Sequence, residues 1–599
     1  MTYLDPQSCD LLGVSHPPSK APAPAGLRVP AGAGGERAIA GDAYEGASHF
    51  SREMAMWQPP MRSADNDILP QKRTGDLRVR DTLRNDAYIR GGSTLHKDNI
   101  VGGMFMLNAK PATKVLLGKE DEAFETEFQE ETETKFTLWA ESPDNWPDAQ
   151  RINTFTGLVR LAVATYVAAG EILGAVEWIR DWEGMRPYNT AIQMLDLDRL
   201  STPPNLMGNR NIRGGIEKNI FGAPQAYHIR RAHPNDSWSN ADAWLWKRVP
   251  VRKPWGRLQI IHIFEQDRPD QTRGISEMVA ALKEMRQTKD FREIVLQNAV
   301  VNATFAASIE SDLDTDAIFA RLGGGNLGED LDAAIRGYVT GYLGMVSEYI
   351  GDKKQFQIGG TRIPHLPPGS KLQLRPAGQG GPLGTDFEQS LLRYIAANLG
   401  VSYEQLSRDY TRTNYSSARA AMSETWKFML ARKKMVADRF ATIIYRLWLE
   451  ESLNKGLIES LPRKFRQRND AAWLYEGQNF DAISACDWIG ASRGQIDELK
   501  ETQAAVLRLK YNLSTHEEEL SRLGKDWRAG FRQKAREKKM QTDLDIVPDQ
   551  ADNSINAASG SPQQREAKDE KSDGSDNARL MGGSVDQLFL DAAEERADA

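Results

Sequence analysis

The stretch FEQSLLRYIAANLGVSYEQLSRDYTRTNYSSARAAMSETW, residues 387–426, decides how this 599-residue sequence is interpreted. Its first apolar residues recur with the spacing of one helix face: Leu391, Leu392, Ile395, Ala396 and Leu399. Gly400 should end that helix, because glycine tolerates the left-handed conformation of a helix terminus. The next periodic run follows three cap-type side chains, Asn414, Ser416 and Ser417. The pattern therefore predicts a helix, a polar loop and a second, longer helix.

The polar loop carries two arginines and two tyrosines: Arg408, Arg412, Tyr410 and Tyr415. A loop arginine is ordinarily a solvated surface residue. A polar, arginine-bearing loop held between two helices nevertheless suits light contact with a polyanion, rather than bond chemistry. We interpret the two tyrosines as packing residues that set the base of the loop.

This segment resembles the portal proteins of lambda-like tailed bacteriophages, in which LGVSYEQLSRDY (399–410) followed by NYSSARA (414–420) is close to a family signature. Further motifs fall in the order that this family shows: IQMLDLDRL (192–200), NIRGGIEKNIFGAPQAYHI (211–229), HP (233–234), IIHIFEQDRPDQTRGIS (260–276) and DWIGASRGQIDELKETQA (487–504). The resemblance covers roughly residues 76–537. So many separate motifs in the right order make coincidence a poor explanation.

The resemblance implies an α+β, predominantly helical fold, the phage portal fold, whose wing, stem, clip and crown regions assemble as a ring. Combined with the sequence pattern, it divides the chain into a disordered N-terminal arm (1–65), an α/β wing domain (66–274), a first stem helix (275–309), a clip domain (310–384), a second stem helix (385–399), a tunnel loop (400–415), a long wing helix (416–460), a helical crown region (461–540) and a disordered acidic tail (541–599). The wing assignment rests on short strand-like runs at 174–182, 191–198, 226–232 and 258–264. In the clip, FQIGGTRIPHLPPGSKLQLRP (356–376) predicts two strands around a Pro-Pro-Gly turn.

In portals the loop after the second stem helix protrudes into the tunnel. The resemblance therefore implies a DNA-facing role for residues of this loop: Arg408, Asp409, Thr411, Arg412, Thr413 and Asn414. The first stem helix, with Ser276 as its candidate cap, spans about 34 residues and would be roughly 50 Å long. That is more than one turn of duplex DNA, at about 34–36 Å. Its possible channel-lining cations, Lys283, Arg286, Lys289 and Arg292, are mingled with Glu284, Asp290 and Glu293. The alternative is that these charges pair at i,i+3 or i,i+4 spacing on a solvated helix face.

Composition and charge permit this interpretation without requiring it. The longest apolar stretch, residues 161–170, is too short for a bilayer and predicts a buried helix, so we expect no membrane partner. The only cysteines, Cys9 and Cys486, support neither a disulfide framework nor a zinc site. Residues 541–599 carry 14 acidic and 5 basic side chains, which leaves 69 acidic and 71 basic side chains in residues 1–540. A nearly neutral folded part would let DNA slide, since each phosphate that a basic side chain neutralises strengthens binding and its salt dependence.

None of the motif matches in the sequence has the context that catalysis or cofactor binding requires. GGGNLG (323–328) follows a run that predicts helix, whereas a dinucleotide site needs a preceding strand. GASRG (490–494) has the spacing of a nucleophile elbow, but the pattern predicts no buried strand leading into Ser492. The eight histidines lack H-E-x-x-H spacing, and no G-x-x-x-x-G-K-[ST] loop exists. The sequence therefore predicts no catalytic residue, no metal and no cofactor, and a protein that is not an enzyme.

The implied function is that of a portal protein at one capsid vertex of the virion, with host cytoplasm as the place of assembly. Viral double-stranded DNA would pass through the ring inward during packaging and outward during ejection. The implied partners are identical copies in a ring that is usually dodecameric, viral DNA contacted without sequence preference, the terminase, the major capsid or scaffold protein, and head–tail connector proteins. Another capsid component, such as a head–tail adaptor or a scaffold, remains the alternative. Adaptors, however, are generally shorter and lack a long helix followed by a clip-like insertion.

Overall fold

The computed structural model describes residues 54, 56–180, 186–236, 241–304, 356–358, 361–363, 385–411, 413–462, 465, 472–494 and 498–544. Several expectations therefore fall outside the described residues: those for the arm up to residue 53, for GGGNLG at 323–328, for Arg412, and for the acidic tail beyond residue 544. Of the clip predicted at 310–384, only six residues are described.

Helices dominate the described residues. They are α1 (Ala64–Asn85), α2 (Ala87–Ile100), α3 (Thr113–Leu117), α4 (Glu122–Ala140), α5 (Phe155–Ala169), α6 (Leu282–Thr304), α7 (Thr385–Leu399), α8 (Tyr403–Ser407), α9 (Tyr415–Arg432), α10 (Arg439–Asn454), α11 (Asn479–Ile483), α12 (Glu498–Lys510), α13 (His516–Arg522) and α14 (Trp527–Asp543). The buried helix predicted at 161–170 is α5, most of whose residues are buried. Within the described residues, none of the helices combines the length and apolarity that crossing a bilayer would take.

The strands are short and pair antiparallel. They are β1 (Met106–Ala109), β2 (Glu171–Trp178), β3 (Thr190–Met194), β4 (Ile212–Arg213), β5 (Ile216–Lys218), β6 (Pro224–Arg230), β7 (Trp246–Pro250), β8 (Ile260–Phe264), β9 (Phe356–Ile358), β10 (Thr361–Ile363) and β11 (Cys486–Ile489). One sheet has the order β3-β2-β8 and another the order β4-β5-β6-β7, while β1 pairs with β11 and β9 with β10. The four strand-like runs of the wing are thereby confirmed as β2, β3, β6 and β8. Their antiparallel pairing is an α+β arrangement, not the parallel one that α/β alternation usually gives.

An aromatic cluster forms the centre of the main core. The Phe136 ring on α4 meets Phe155 on α5 edge-on with centroids 5.1 Å apart, and Trp448 on α10 at 5.3 Å. Trp488 on β11 stacks on Phe105 at 5.4 Å. Such edge-on and stacked pairs add roughly 0.5–1.5 kcal/mol each beyond the burial of their area. The cluster thus joins sequence segments more than 300 residues apart into one body.

A second junction is ionic and fully buried. The carboxylate of Glu171, at the start of β2, accepts hydrogen bonds from the Arg273 guanidinium at 2.6 and 2.8 Å and lies 3.2 Å from Lys72 Nζ. Arg273 also donates to the carbonyls of Leu200 and Gly214. Three of the motifs that carried the family resemblance meet here, because Leu200, Gly214 and Arg273 each belong to a different one. The cluster joins the start of β2 to α1 and to the segment that leads into α6.

The two helices predicted for the stem begin close to their predicted starts. Ser276 is confirmed as a cap, since its hydroxyl accepts from the Met278 N–H. A 3₁₀ turn, Glu277–Ala281, comes first, and the 23 residues of α6 then extend for roughly 35 Å. The α7 helix packs against α6, with the rings of Phe291 and Phe387 5.5 Å apart. The predicted residues 305–309 lie outside the described part of the chain.

The long helix predicted from residue 416 is interrupted. A π-helical segment, Lys433–Asp438, separates α9 from α10. Lys433 Nζ donates to the Trp488 carbonyl and to the Asp438 carboxylate, both at 2.8 Å. Single-turn π segments are uncommon and often mark functional positions. Here the π segment begins at the lysine that ties this helix to β11.

Two details differ from the sequence-based expectations. A half-buried strand, β11, leads toward Ser492, and the pattern did not predict it. It belongs to a two-stranded antiparallel pair, not to the sheet of an α/β hydrolase, so no nucleophile elbow results. In the clip, Phe356–Ile358 pairs with Thr361–Ile363, so the two described strands flank residues 359–360. The Pro-Pro-Gly turn predicted at 367–369 lies outside the described residues.

Candidate functional site

The base of the predicted tunnel loop is the end of α7. Gly400 adopts a φ of +65°, and a Cβ at this position would overlap with the ring of Phe428 on α9. Gly92 on α2 leaves similar room, since a Cβ there would lie 2.9 Å from Leu399 Cδ1. Only glycine suits position 400, because of the positive φ and the close approach of the Phe428 ring. The chain therefore leaves α7 in one fixed direction.

A buried histidine fixes the same junction. His96 on α2 is fully buried, and its Nε2 lies 3.0 Å from the Leu399 carbonyl oxygen. Burial, followed by the charge of Arg432, lowers the pKa of His96 to about 3. The imidazole is thus neutral and can donate to that carbonyl. Arg432 stacks on Phe428, 4.5 Å from the ring centroid, and pairs with Glu277 at 2.6 Å, which connects the loop base to the stem.

The loop contains a helix that the sequence interpretation missed. α8 begins with a capping box, in which Ser402 Oγ accepts from the Gln405 N–H while the Gln405 side chain accepts from the Ser402 N–H. It ends at Arg408, whose φ of 58° and ψ of 24° place a non-glycine residue in the left-handed region. Within α8, the side chain of Leu406 is buried. The ordered part of the loop is therefore longer than predicted, and its turn is shorter.

The turn after Arg408 is held by its own side chains. The Asp409 carboxylate accepts from the Thr411 N–H at 3.1 Å and from the Thr411 hydroxyl at 2.6 Å. Thr413 Oγ1 lies 3.4 Å from Glu404 Oε1 on α8. Asn414 caps α9, as predicted, by accepting from the Ser417 N–H at 2.8 Å. Four of the six loop residues thus shape the turn, while the Arg408 side chain is exposed.

The first turns of α9 are more exposed than its later turns. The buried residues of α9 are Thr425 and Met429, so residues 415–424 contribute none. Tyr410 and Tyr415 are 51% and 49% exposed, which contradicts their interpretation as packing residues at the loop base. That base is formed instead by Phe428 and His96. The described residues of the turn and of the start of α9 therefore form one exposed, polar unit, which we call the projecting turn (residues 408–424).

The four cations predicted to line the channel differ in their ion-pair partners and in their exposure. Arg292 pairs with Glu388 on α7 at 2.5 Å and stacks over Tyr88, so it joins elements within the subunit. Arg286 pairs with Asp290 at 3.1 Å, the local alternative that the sequence left open. Lys283 is exposed and Lys289 partly exposed, and neither has a carboxylate partner among the described residues.

One group of possible metal ligands escaped the sequence analysis. Oxygen and nitrogen atoms of Asp196, Asp198 and His233 lie within 4.8 Å of one another. Arg80 already pairs with both carboxylates, at 3.3 and 2.7 Å. Its guanidinium supplies the positive charge that a cation would bring. The grouping brings the IQMLDLDRL and HP motifs together, because Asp196, Asp198 and His233 form one ion-pair network with Arg80 on α1.

Comparisons with known proteins agree with the motifs. The family model described as phage portal protein, lambda family, matches residues 50–433. Portal protein B of Escherichia phage lambda is 36% identical over 498 residues, which cover 82% of this chain and 89% of that protein. The portal protein of Escherichia phage N15 is 35% identical over 497 residues, with coverage of 82% and 89%.

Similar solved structures come from gene transfer agent (GTA) particles. The neck of an empty GTA particle gives a TM-score of 0.33 at 14% identity and covers 80% of this chain and 99% of that one. A native GTA virion gives 0.32 at 13%, with coverage of 78% and 94%. Because these scores are low, identification rests on the family model and the two phage relatives. On that basis, this chain belongs to the lambda family of phage portal proteins.

Proposed function

We propose that copies of this chain close into a ring at one capsid vertex and form the channel through which viral double-stranded DNA is packaged and later ejected. The observation that carries the proposal is the projecting turn. It presents an exposed arginine, Arg408, on a base that Gly400, His96 and Phe428 hold rigid. Family membership supports the same role, since the relatives are named portal proteins.

The mechanism is geometric and electrostatic. Identical subunits that associate head to tail around an axis form a closed ring. The stem helices line that axis, and the projecting turn reaches inward toward the phosphates. Contacts to phosphates position DNA without reading its bases. An exposed ion pair contributes only about 0.2–1 kcal/mol, so each contact breaks and re-forms easily as the duplex slides past.

The other regions take the roles that the family resemblance implied. The wing (66–274) and the long wing helix (416–460) form the outer body. The clip (310–384) docks the terminase during packaging and the head–tail connector proteins afterwards. The crown (461–540) faces the capsid interior, and the ring nucleates the procapsid together with the major capsid or scaffold protein. Assembly takes place in the host cytoplasm, and the role is structural, not catalytic.

Among the stem cations, Lys283 and Lys289 are the stronger candidates for the channel lining. Both lack a carboxylate partner among the described residues, whereas Arg286 and Arg292 are each paired. A lysine that is not neutralised within its own subunit keeps its charge available for a phosphate. We therefore assign weak DNA contacts to Lys283 and Lys289 in addition to the projecting turn.

Charge reversal in the projecting turn tests the proposal. Replacing Arg408→Glu together with Arg412→Glu should leave rings and empty heads intact but impair DNA filling in a packaging assay. A matched control reverses Lys114 and Lys119, whose side chains are 78% and 74% exposed outside the stem and loop. The control should package normally. Normal packaging by the Arg408 and Arg412 variant would remove the role assigned to the turn.

A further inference from the structure

A cleft of about 530 Å³ lies between α1, α2 and α5 and has no part in the proposed channel. Its floor is apolar and consists of Leu83, Leu161, Ala164, Ala168 and Met194. Leu161 is 40% exposed, although it belongs to the otherwise buried α5. The volume falls within the roughly 300–1,000 Å³ that ligand pockets occupy. An apolar floor of this size leaves room for two or three side chains of a partner.

The rim of this cleft is basic and only partly neutralised. Of its four cations, Arg80 is paired with Asp196 and Asp198, as described above. Arg84 has its nearest carboxylate, that of Asp81, 4.0 Å away. Arg90 and Lys97 have no carboxylate partner among the described residues. The cleft therefore suits an occupant that is apolar on one face and acidic beside it.

The last residues of this chain have that composition. Beyond Leu544 the sequence continues for 55 residues, and residues 584–599 contain five acidic side chains and one arginine. Val585, Leu588, Phe589 and Ala592 follow the spacing of one helix face. Asp591 and Glu595 would flank that face on one side, and Asp586 on the other.

We propose that residues 585–595 dock in this cleft of their own subunit as an amphipathic helix. Leu588 and Phe589 would cover the apolar floor, while Asp591 and Glu595 would pair with Arg90 and Lys97. The recognition mode is that of a helix in a groove. Duplex DNA would satisfy the cations but would leave the apolar floor uncovered, so the observations favour the peptide.

Docking within one subunit requires a tether that can reach the cleft. Residues 545–584 separate the described part of the chain from this segment by 40 residues, and a flexible chain of that length has a root-mean-square span of roughly 35 Å. Where a flexible tether spans the distance, the effective concentration can reach the millimolar range. Even a weak match between segment and cleft would then keep the segment docked much of the time.

Hydrogen exchange on the full chain tests the proposal. In the wild type, amides 586–595 should exchange at least about tenfold more slowly than those of residues 551–570. Reversing the rim with Arg90→Glu and Lys97→Glu should abolish that protection, whereas the matched reversal of Lys114 and Lys119 should not. Adding Asp591→Lys and Glu595→Lys to the rim variant should restore it. That rescue also shows that the rim variant is folded.

A disulfide between Thr94→Cys in the cleft and Gln587→Cys in the tail tests whether the docked segment belongs to the same chain or to another copy. Both native cysteines are first replaced by serine. Under oxidation the pair should cross-link within one chain and change the mobility of the monomer on a denaturing gel. A dimer-sized product would overturn docking within one subunit. Unprotected amides in the wild type, or protection that survives reversal of the rim, would overturn the cleft as the docking site.

Discussion

Replacing Gly400 by alanine should loosen the base of the projecting turn. Gly400 has a φ of +65°, and a non-glycine residue in that conformation costs about 1–2 kcal/mol. The added Cβ would also overlap with the Phe428 ring, and overpacking of this kind costs about 1–3 kcal/mol. Together the two effects should lower the local free energy of opening by roughly 2–5 kcal/mol. Amides of α8 should then exchange at least about 30-fold faster, since 1.4 kcal/mol corresponds to tenfold.

Native-state hydrogen exchange with two further variants separates the causes. In Gly91→Ala, the new Cβ meets no atom within 4 Å, and alanine in a helix interior gains about 0.5–1 kcal/mol. In a Phe428→Ala background the ring is gone, so Gly400→Ala should cost only the backbone contribution of about 1–2 kcal/mol. If α8 exchange changed less than about threefold in Gly400→Ala, or if the full cost persisted without the ring, the collision argument would be wrong.

Three other substitutions have defined outcomes. Burial raises the pKa of Glu133 to about 7, above its ordinary 4.5, so its protonated form stabilises the fold and that stability is lost as the pH rises toward 7. Glu133→Gln should flatten the fall in thermal unfolding temperature between about pH 5 and pH 7.5; an unchanged pH profile would contradict this. Glu171→Gln should cost about 3–5 kcal/mol in urea unfolding, because it leaves Arg273 buried without its counter-charge, and a cost below about 1 kcal/mol would argue against the cluster. Asp409→Ala removes the acceptor of the Thr411 N–H and should cost about 0.5–1.5 kcal/mol, seen as faster exchange at Thr411 alone; unchanged exchange at that amide would argue against the turn described here.

Local signals in the sequence predicted the helix boundaries around the site. The glycine after Leu399 and the cap residues Ser276 and Asn414 act through neighbouring backbone groups, so their effects are visible in a short window. The α8 helix was missed although its signal was present. Ser402 and Gln405 stand three residues apart, which is the spacing of a capping box.

The sequence pattern could not predict contacts between residues that lie far apart in the chain. Arg292 and Glu388 lie 96 residues apart, and nothing local to either of them indicates that α6 and α7 meet there. The same holds for Glu171 and Arg273, which are 102 residues apart in the sequence and fully buried together. The exposure of Tyr410 and Tyr415 was mispredicted for a related reason. An aromatic residue beside a loop suggests packing, but Phe428 and His96, from other helices, already fill that position.

A cryo-electron microscopy map of the purified, assembled protein tests the central claim most directly. It should show a closed ring around an open axis wide enough for a DNA duplex, with residues 408–413 among the atoms nearest that axis. A map that places Arg408 on the outer rim, or particles without an open axis, would contradict the account.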